Sequence, residues 1–295
     1  MRYQDIFVPG GFPRHTYNPR TELRLEKRLG EVTENLCKLV TVTGQTKSGK
    51  TVLTRRVLPP ESAIWIDGGT VSEEDDFWQT ILEQLDIFQT TERNEERSST
   101  TGGEVKVGAT GSIFVAKVEG EAAVAHERGK ASGSSGSRTV SARVAALGGL
   151  KESKRALVID DFHYLPKDMQ GSIVRALKPL IFDGLPAAII AIPHRRYDAL
   201  KVEKEMTGRI SPIQIPMWEH DELVFISKTG FGLLNYALSD DVSSRLADEA
   251  IGSPHLMQDF CRGICRRLDL VATDVPSTLS LTERLIINAI FRVNG

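Results

Sequence analysis

Two hydrophobic periodicities alternate along the chain. Leu39–Thr43 is a β-branched apolar run ending at Gly44, and Ala63–Asp67 is closed by Gly68 and Gly69; both predict buried strands. Ala156–Asp160, Ala187–Ile192 and Ile210–Ile215 predict three more. Between these runs the spacing turns helical. Leu25, Leu29, Val32 and Leu36 step by four, three and four behind a capping Thr21. Gly49–Leu58 predicts a short helix stopped by Pro59 and Pro60. Ser72 followed by Glu73, Glu74 and Asp75 predicts a helix start, and Phe77, Trp78, Ile81, Leu82 and Leu85 supply its apolar face. Helices are also predicted over Pro166–Asp183, with Gly184 beyond its end, and over Tyr197–Met206. From Glu219 onward only helical patterns are read, over 221–236, 240–251 and 254–268, with a last amphipathic stretch at Leu281–Val293. Residues 1–20, with Pro9, Gly10, Gly11, Pro13 and Pro19, read as an extended lead-in.

Strands alternating with helices predict an α/β fold: a parallel sheet covered by helices on both faces, followed by a small all-helical lid. The expected division is an N-terminal segment and helix over 1–36, a core over 37–218, a lid over 219–274 and a C-terminal helix over 275–295.

Composition narrows the chemistry. The 295 residues carry 37 Lys plus Arg against 39 Asp plus Glu, a net charge of −2, so no global positive field exists to hold nucleic acid or an anionic membrane. A local basic face is left open. Three cysteines make no disulfide framework and fit a reducing cytoplasm; Cys261 and Cys265, four apart on a predicted helix, read as buried small hydrophobes. The first fifteen residues lack the apolar stretch of a signal peptide, and the longest apolar run, Ala187–Ile192, is far too short for a membrane span.

The strongest chemical signal is Gly44-Gln45-Thr46-Lys47-Ser48-Gly49-Lys50-Thr51. It matches G-x-x-x-x-G-K-[ST] and sits between a predicted strand and a predicted helix. Glycines let backbone N–H groups wrap an anion, and the helix N-terminus adds positive dipole. Lys50 can reach the β- and γ-phosphates, and the Thr51 hydroxyl can ligate Mg²⁺. A second run, Leu157-Val158-Ile159-Asp160-Asp161, ends an apolar strand in two carboxylates. Asp160 would hold the Mg²⁺ through water, and Asp161 would orient or deprotonate the attacking water. The glycine spacing differs from that of dinucleotide-binding folds, and no N-K-x-D motif is present, which favours ATP over GTP.

With these motifs the chain resembles the P-loop ATPases of the AAA+ and STAND group over about residues 20–270. The resemblance implies a three-layer αβα core and makes Gly44–Thr51 the Walker A and Leu157–Asp161 the Walker B element. AAA+ proteins usually end Walker B in Glu; Asp161 is one methylene shorter, as in many STAND ATPases, which implies slow hydrolysis. Ala187–Ile192 resembles the sensor-1 strand, which would bring His194 or Arg195 toward the γ-phosphate. Arg209, before Ile210, sits where such proteins carry an arginine that reaches a neighbouring subunit's nucleotide. Gly252-Ser253-Pro254 resembles the STAND GxP motif, so Pro254 and His255 would touch the nucleotide, with His255 where AAA+ chains place a sensor-2 arginine.

Lys50 and Asp160 lie 110 positions apart, whereas two strand-and-crossover steps take roughly 60 residues at ~30 each. The surplus coincides with a Gly/Ser-rich insertion at about 98–150, which holds ten of the 25 glycines. It reads as a flexible linker or a long hairpin, with a role in partner contact as the sharper alternative. The functional expectation is an ATP-dependent assembly switch in defence or signalling: a homo-oligomer bound to an effector or sensor protein. The alternative is a DNA-transaction ATPase like replication initiators or transposition regulators, which would bind DNA.

Overall fold

The computed structural model describes residues 1–87, 140–192, 206 and 208–279. All but Met206 of the expected helix at 197–206, the stretch at 281–293 and most of the insertion therefore lie outside the described residues, as do His194 and Arg195. Two compact units result: residues 1–72 with 155 onward, and residues 73–154.

In the larger unit a four-residue helix α1 (Tyr3–Ile6) and a short helix α2 (Leu25–Gly30) precede the sheet. The second of these ends early. Of the stepped residues, Leu25 and Leu29 lie on α2, Val32 on a following 3₁₀ turn and Leu36 beyond it; Leu25, Leu29 and Val32 are buried. Five strands follow: β1 (Leu39–Gly44), β2 (Ala63–Asp67), β3 (Ala156–Asp160), β4 (Ala187–Ala191) and β5 (Ile210–Ile215). They form one parallel sheet in the order β2-β3-β4-β1-β5. β1 is buried at all six positions, as expected of a central parallel strand. Alternate residues on one face, among them Val40, Val42, Val158 and Ile190, pack with Leu25, Leu29 and Val32. Pro212, which has no N–H to give, sits in β5 because β5 is an edge strand.

Helix α3 (Lys50–Val57) follows β1 directly. In the smaller unit, α4 (Glu74–Gln84) starts one residue later than expected. Its cap is Glu73, not Ser72: Glu73 and Asp76 form a reciprocal capping box. The end of the Gly/Ser-rich insertion is neither linker nor hairpin but a helix, α5 (Ala142–Ser153), capped by the Ser141 hydroxyl. Gly149 makes it possible. A Cβ there would collide with Leu85 and Ile87, so the glycine lets α5 and the end of α4 close up.

Returning to the larger unit, α6 (Lys167–Phe182) lies between β3 and β4, and Gly184 at φ +98° ends its turn. After β5 come α7 (His220–Leu233), α8 (Asp240–Glu249) and α9 (Pro254–Arg267). The expectation of an all-helical lid needs correction: β6 (Tyr236–Leu238) and β7 (Ser277–Leu279) pair in parallel beside these helices. The runs are three residues each, too short to show a period-2 pattern. The region expected as the lid has its own core, in which Leu223, Phe231, Leu246, Phe260 and Ile264 pack together. Ile6 and Phe7 of the expected lead-in are fully buried in that same core, so the N-terminal segment is structural.

Candidate functional site

β1 places Gly44 at its C-terminal end, in the interior of the sheet. The chain then turns sharply: Lys47 (φ 63°) and Gly49 (φ +92°) are left-handed, and the Ser48 N–H donates to the Gln45 carbonyl at 3.3 Å. Gly44 is needed for space. A Cβ there would lie 2.8 Å from Ser48 Oγ and 3.0 Å from the Ile215 carbonyl oxygen. Helix α3 begins at Lys50, whose buried Nζ donates to the Gly44 carbonyl at 3.0 Å and the Gln45 carbonyl at 2.7 Å. Burial pushes the Lys50 pKa down, while Asp161 and Asp160 push it back up. Ser48 Oγ is buried with no partner. A buried hydroxyl left so is costly unless something else accepts from it.

The carboxylates approach from β3. The Thr51 hydroxyl donates to Asp160 Oδ1 at 3.3 Å, and the Asp161 N–H donates to the same oxygen at 2.9 Å. Burial raises the Asp160 pKa; the bond from Thr51 opposes this, and the Asp161 charge adds to it. Asp161 turns the chain in a left-handed conformation (φ 48°), and its carboxylate is half exposed with His163 Nδ1 at 3.9 Å. The following turn is pinned by the Gln170 amide, which donates to the Phe162 carbonyl at 3.2 Å and the Leu165 carbonyl at 2.7 Å.

Loop and carboxylate form one wall of a cavity of about 520 Å³, a size that suits a small-molecule ligand. The other wall comes from residues 8–20, Trp218 and the start of α9. It is held by side chains distant in sequence. Gln258 of α9 accepts from the Val8 N–H at 3.1 Å and donates to the Thr16 hydroxyl at 2.6 Å, which in turn donates to the Ile6 carbonyl. Arg20, its side chain 4% exposed, bonds Glu222 at 2.8 Å and the carbonyls of Pro216 and Met217 at 3.2 and 2.9 Å. Its guanidinium also lies 5.0 Å from the Trp218 ring centroid. The Trp218 indole N–H donates to the Ser48 carbonyl at 3.0 Å, and both residues line the cavity.

The expected site residues are mostly brought together. Thr46, Lys47, Ser48, Gly49, Lys50 and Thr51 line the cavity, and so do Asp161, Pro254 and His255. Gly44 and Gln45 are bonded to Lys50, and Asp160 is bonded to Thr51. Burial lowers the His255 pKa; Lys47 adds to this and Asp259 opposes it. Arg209 is elsewhere. Its carbonyl accepts from the Leu39 N–H at the start of β1, one strand length, roughly 16 Å, from Gly44. Its guanidinium sits 4.8 Å from the ring of Phe182. Cys261 and Cys265 are buried, and burial pushes the Cys265 thiol up to about 12, as expected of small core residues. The sequence reading missed Arg20, Gln258 and the wall at 8–18. The available signal was the apolar trio Tyr3, Ile6 and Phe7 ahead of the prolines.

These groups fit a phosphorylated ligand with a hard divalent cation. The loop offers a lysine, an unpartnered hydroxyl and a glycine at a point without room for a Cβ. Thr51 and Asp160 present oxygen ligands side by side. Among the described residues no cluster of three or more His, Cys, Asp or Glu could hold a metal alone. Such a cation would therefore take its remaining ligands from phosphate and water, as Mg²⁺ usually does.

No protein-family model and no curated protein sequence matches the chain. Solved structures do match in fold. Cdc6p from Pyrobaculum aerophilum aligns with TM-score 0.57 at 15% identity, over 90% of this chain and 66% of that one. The ORC1 protein of Aeropyrum pernix, solved in complex with DNA, aligns with TM-score 0.58 at 15% identity, over 99% and 69%. The Walker-type ATPase of Pyrococcus abyssi aligns with TM-score 0.59 at 16% identity, over 92% and 71%. The chain thus spans about two thirds of the length of these proteins. At these identities the likeness is one of fold, an α/β P-loop NTPase fold with a parallel five-stranded sheet.

Proposed function

We propose that this chain binds ATP with Mg²⁺ in the cavity described above, hydrolyses it slowly and uses the bound nucleotide as an assembly switch. The observation that carries this reading is the convergence of Lys50, Thr51 and Asp161 on one cavity, with Asp160 bonded to Thr51. Lys50 would leave the Gly44 and Gln45 carbonyls to meet the β- and γ-phosphates, and Ser48 Oγ would gain an acceptor. Thr51 would hold the cation directly and Asp160 through water. When bound, Mg²⁺ would neutralise charge building on the phosphate oxygens. Asp161, half exposed, would orient the attacking water; its short side chain supports slow turnover. Pro254 and His255 would contact the nucleotide from α9, and His194 or Arg195 would reach the γ-phosphate.

Arg209, at the opposite end of the sheet, cannot serve the phosphate loop of its own chain. It would serve that of a second copy, which makes a homo-oligomer part of the proposal. No helix among the described residues is long and apolar enough to cross a membrane. The switch would act in defence or signalling through an effector or sensor protein. A second reading, a DNA-transaction ATPase, draws support from the initiator proteins that share this fold, one of them solved with DNA. Solution mass with and without ATP, repeated with duplex DNA, tests both. Nucleotide-dependent assembly without DNA supports the switch, and ATP-dependent DNA binding with steep salt dependence supports the second reading. Wild-type protein with no measurable ATP affinity would overturn both.

A further inference from the structure

Trp218 is neither in the phosphate loop nor in the lid core, yet it touches both sides of the cavity. Its indole N–H donates to the Ser48 carbonyl at 3.0 Å, and a Cβ placed on Gly49 would lie 4.0 Å from its Cζ2. Its own backbone N–H donates to the Gly252 carbonyl at 3.3 Å, in the turn just before Pro254 and His255. Arg20 stacks on the ring and clamps the two carbonyls before it, while Glu222, the partner of Arg20, also closes the capping box of α7 by accepting from the Glu219 N–H at 2.8 Å.

The consequence follows from peptide geometry. In a trans peptide the carbonyl and the next N–H point in opposite directions. Tying the Ser48 carbonyl to the indole therefore turns the Gly49 N–H away from Trp218. Gly49 is left-handed, and glycine accepts either sign of φ at little cost, so this peptide has little local resistance to a flip. Flipped, it would offer an anion a carbonyl oxygen in place of an N–H donor.

We propose that Trp218 is a positioning residue. By holding the Ser48–Gly49 peptide in its donor orientation it sets the loop's affinity for phosphate, and Arg20 and Glu222 tie that orientation to the seating of α7. This rests on the nucleotide reading above. The bond that matters is one N–H, so Trp218→Phe is the test: it keeps an aromatic ring for Arg20 and removes only the donor and the outer ring. Binding of ATP, ADP and adenosine is measured by calorimetry, with Trp218 emission taken as the wild-type minus variant difference spectrum.

ATP and ADP affinity should fall on the order of tenfold while adenosine binding is unchanged, because only the phosphates meet the Gly49 N–H. Wild-type emission should shift on ADP binding in the component that the variant lacks. Arg20→Lys, which keeps the charge and loses the planar stack, should shift ATP and ADP in the same direction and again spare adenosine. Unchanged ATP affinity in both variants, or an equal loss for ATP, ADP and adenosine, overturns the proposal. If the wild-type chain binds ATP and Trp218→Phe matches it, this proposal alone falls; if the wild type binds no nucleotide, the nucleotide reading falls with it.

Discussion

The two walls of the cavity are built on different principles. The phosphate wall is local: eight consecutive residues, fixed by an interior strand behind them and a helix in front, with one reach across to Asp160. The opposite wall is assembled from chain segments more than 200 positions apart, through Arg20 with Glu222, Thr16 with Gln258 and Phe7 with Phe231, whose ring centroids lie 5.2 Å apart. Sheet topology makes the first wall difficult to perturb without unfolding the protein. A handful of polar and aromatic contacts decides whether the second exists at all. The first wall rests on neighbours in sequence, the second on contacts that only the folded chain brings together.

Substitutions in each wall should therefore separate. The largest effect is expected from Lys50→Ala, which should cut nucleotide affinity on the order of a hundredfold through the loss of its charged bonds to the phosphates, well beyond any shift in unfolding midpoint from freeing the Gly44 and Gln45 carbonyls. Titration calorimetry beside a urea melt checks it; retention of binding would place the phosphates elsewhere. Phe7→Ala should do the reverse, lowering stability by about 3–5 kcal/mol in urea through the loss of a fully buried aromatic. Gln258→Leu should cost about 1–3 kcal/mol, because it strips the Val8 N–H and the Thr16 hydroxyl of a buried partner. An unchanged midpoint in that variant would mean the clasp is decoration.

The smallest effect concerns pH. Burial and Lys47 hold the His255 pKa below its usual 6.5, so the unfolded chain takes up this proton more readily than the folded one. Folding stability should therefore fall as pH drops below about 6.5, through this residue. His255→Gln should flatten that part of the pH–stability curve, and an identical curve in the variant would discount the effect.

The phosphate wall was readable in the sequence because each of its constraints is short in range. A glycine spacing, a β-branched run before it and a helix start after it all fall within twenty residues. The strands were read for the same reason, since alternation and burial act over five or six positions. Arg20 could not be read this way. Among five prolines and glycines it looks like one more surface cation, and only its partner 202 positions later makes it a buried one. The helix at Ala142–Ser153 was hidden by Gly148 and Gly149, which depress helix propensity locally and were read as part of a loop. There the helix gains a close contact with Leu85 and Ile87, a tertiary gain that no local pattern displays.

The burial of Ile6 and Phe7 among the lid helices has a mechanical consequence. Among the described residues, two stretches of chain run between the helices after β5 and the sheet: the Pro216–Trp218 link, and the segment from Phe7 to α2. A body held by one strap can swivel in any direction. Held by two, it swings like a door, about the line joining its two attachments, and most other rotations stretch one strap or buckle the other. Arg20 stands where the two straps meet and pins one to the other. Residues 219–279 are thereby fastened to the sheet side of the molecule at two places rather than one, with Arg20 joining the two.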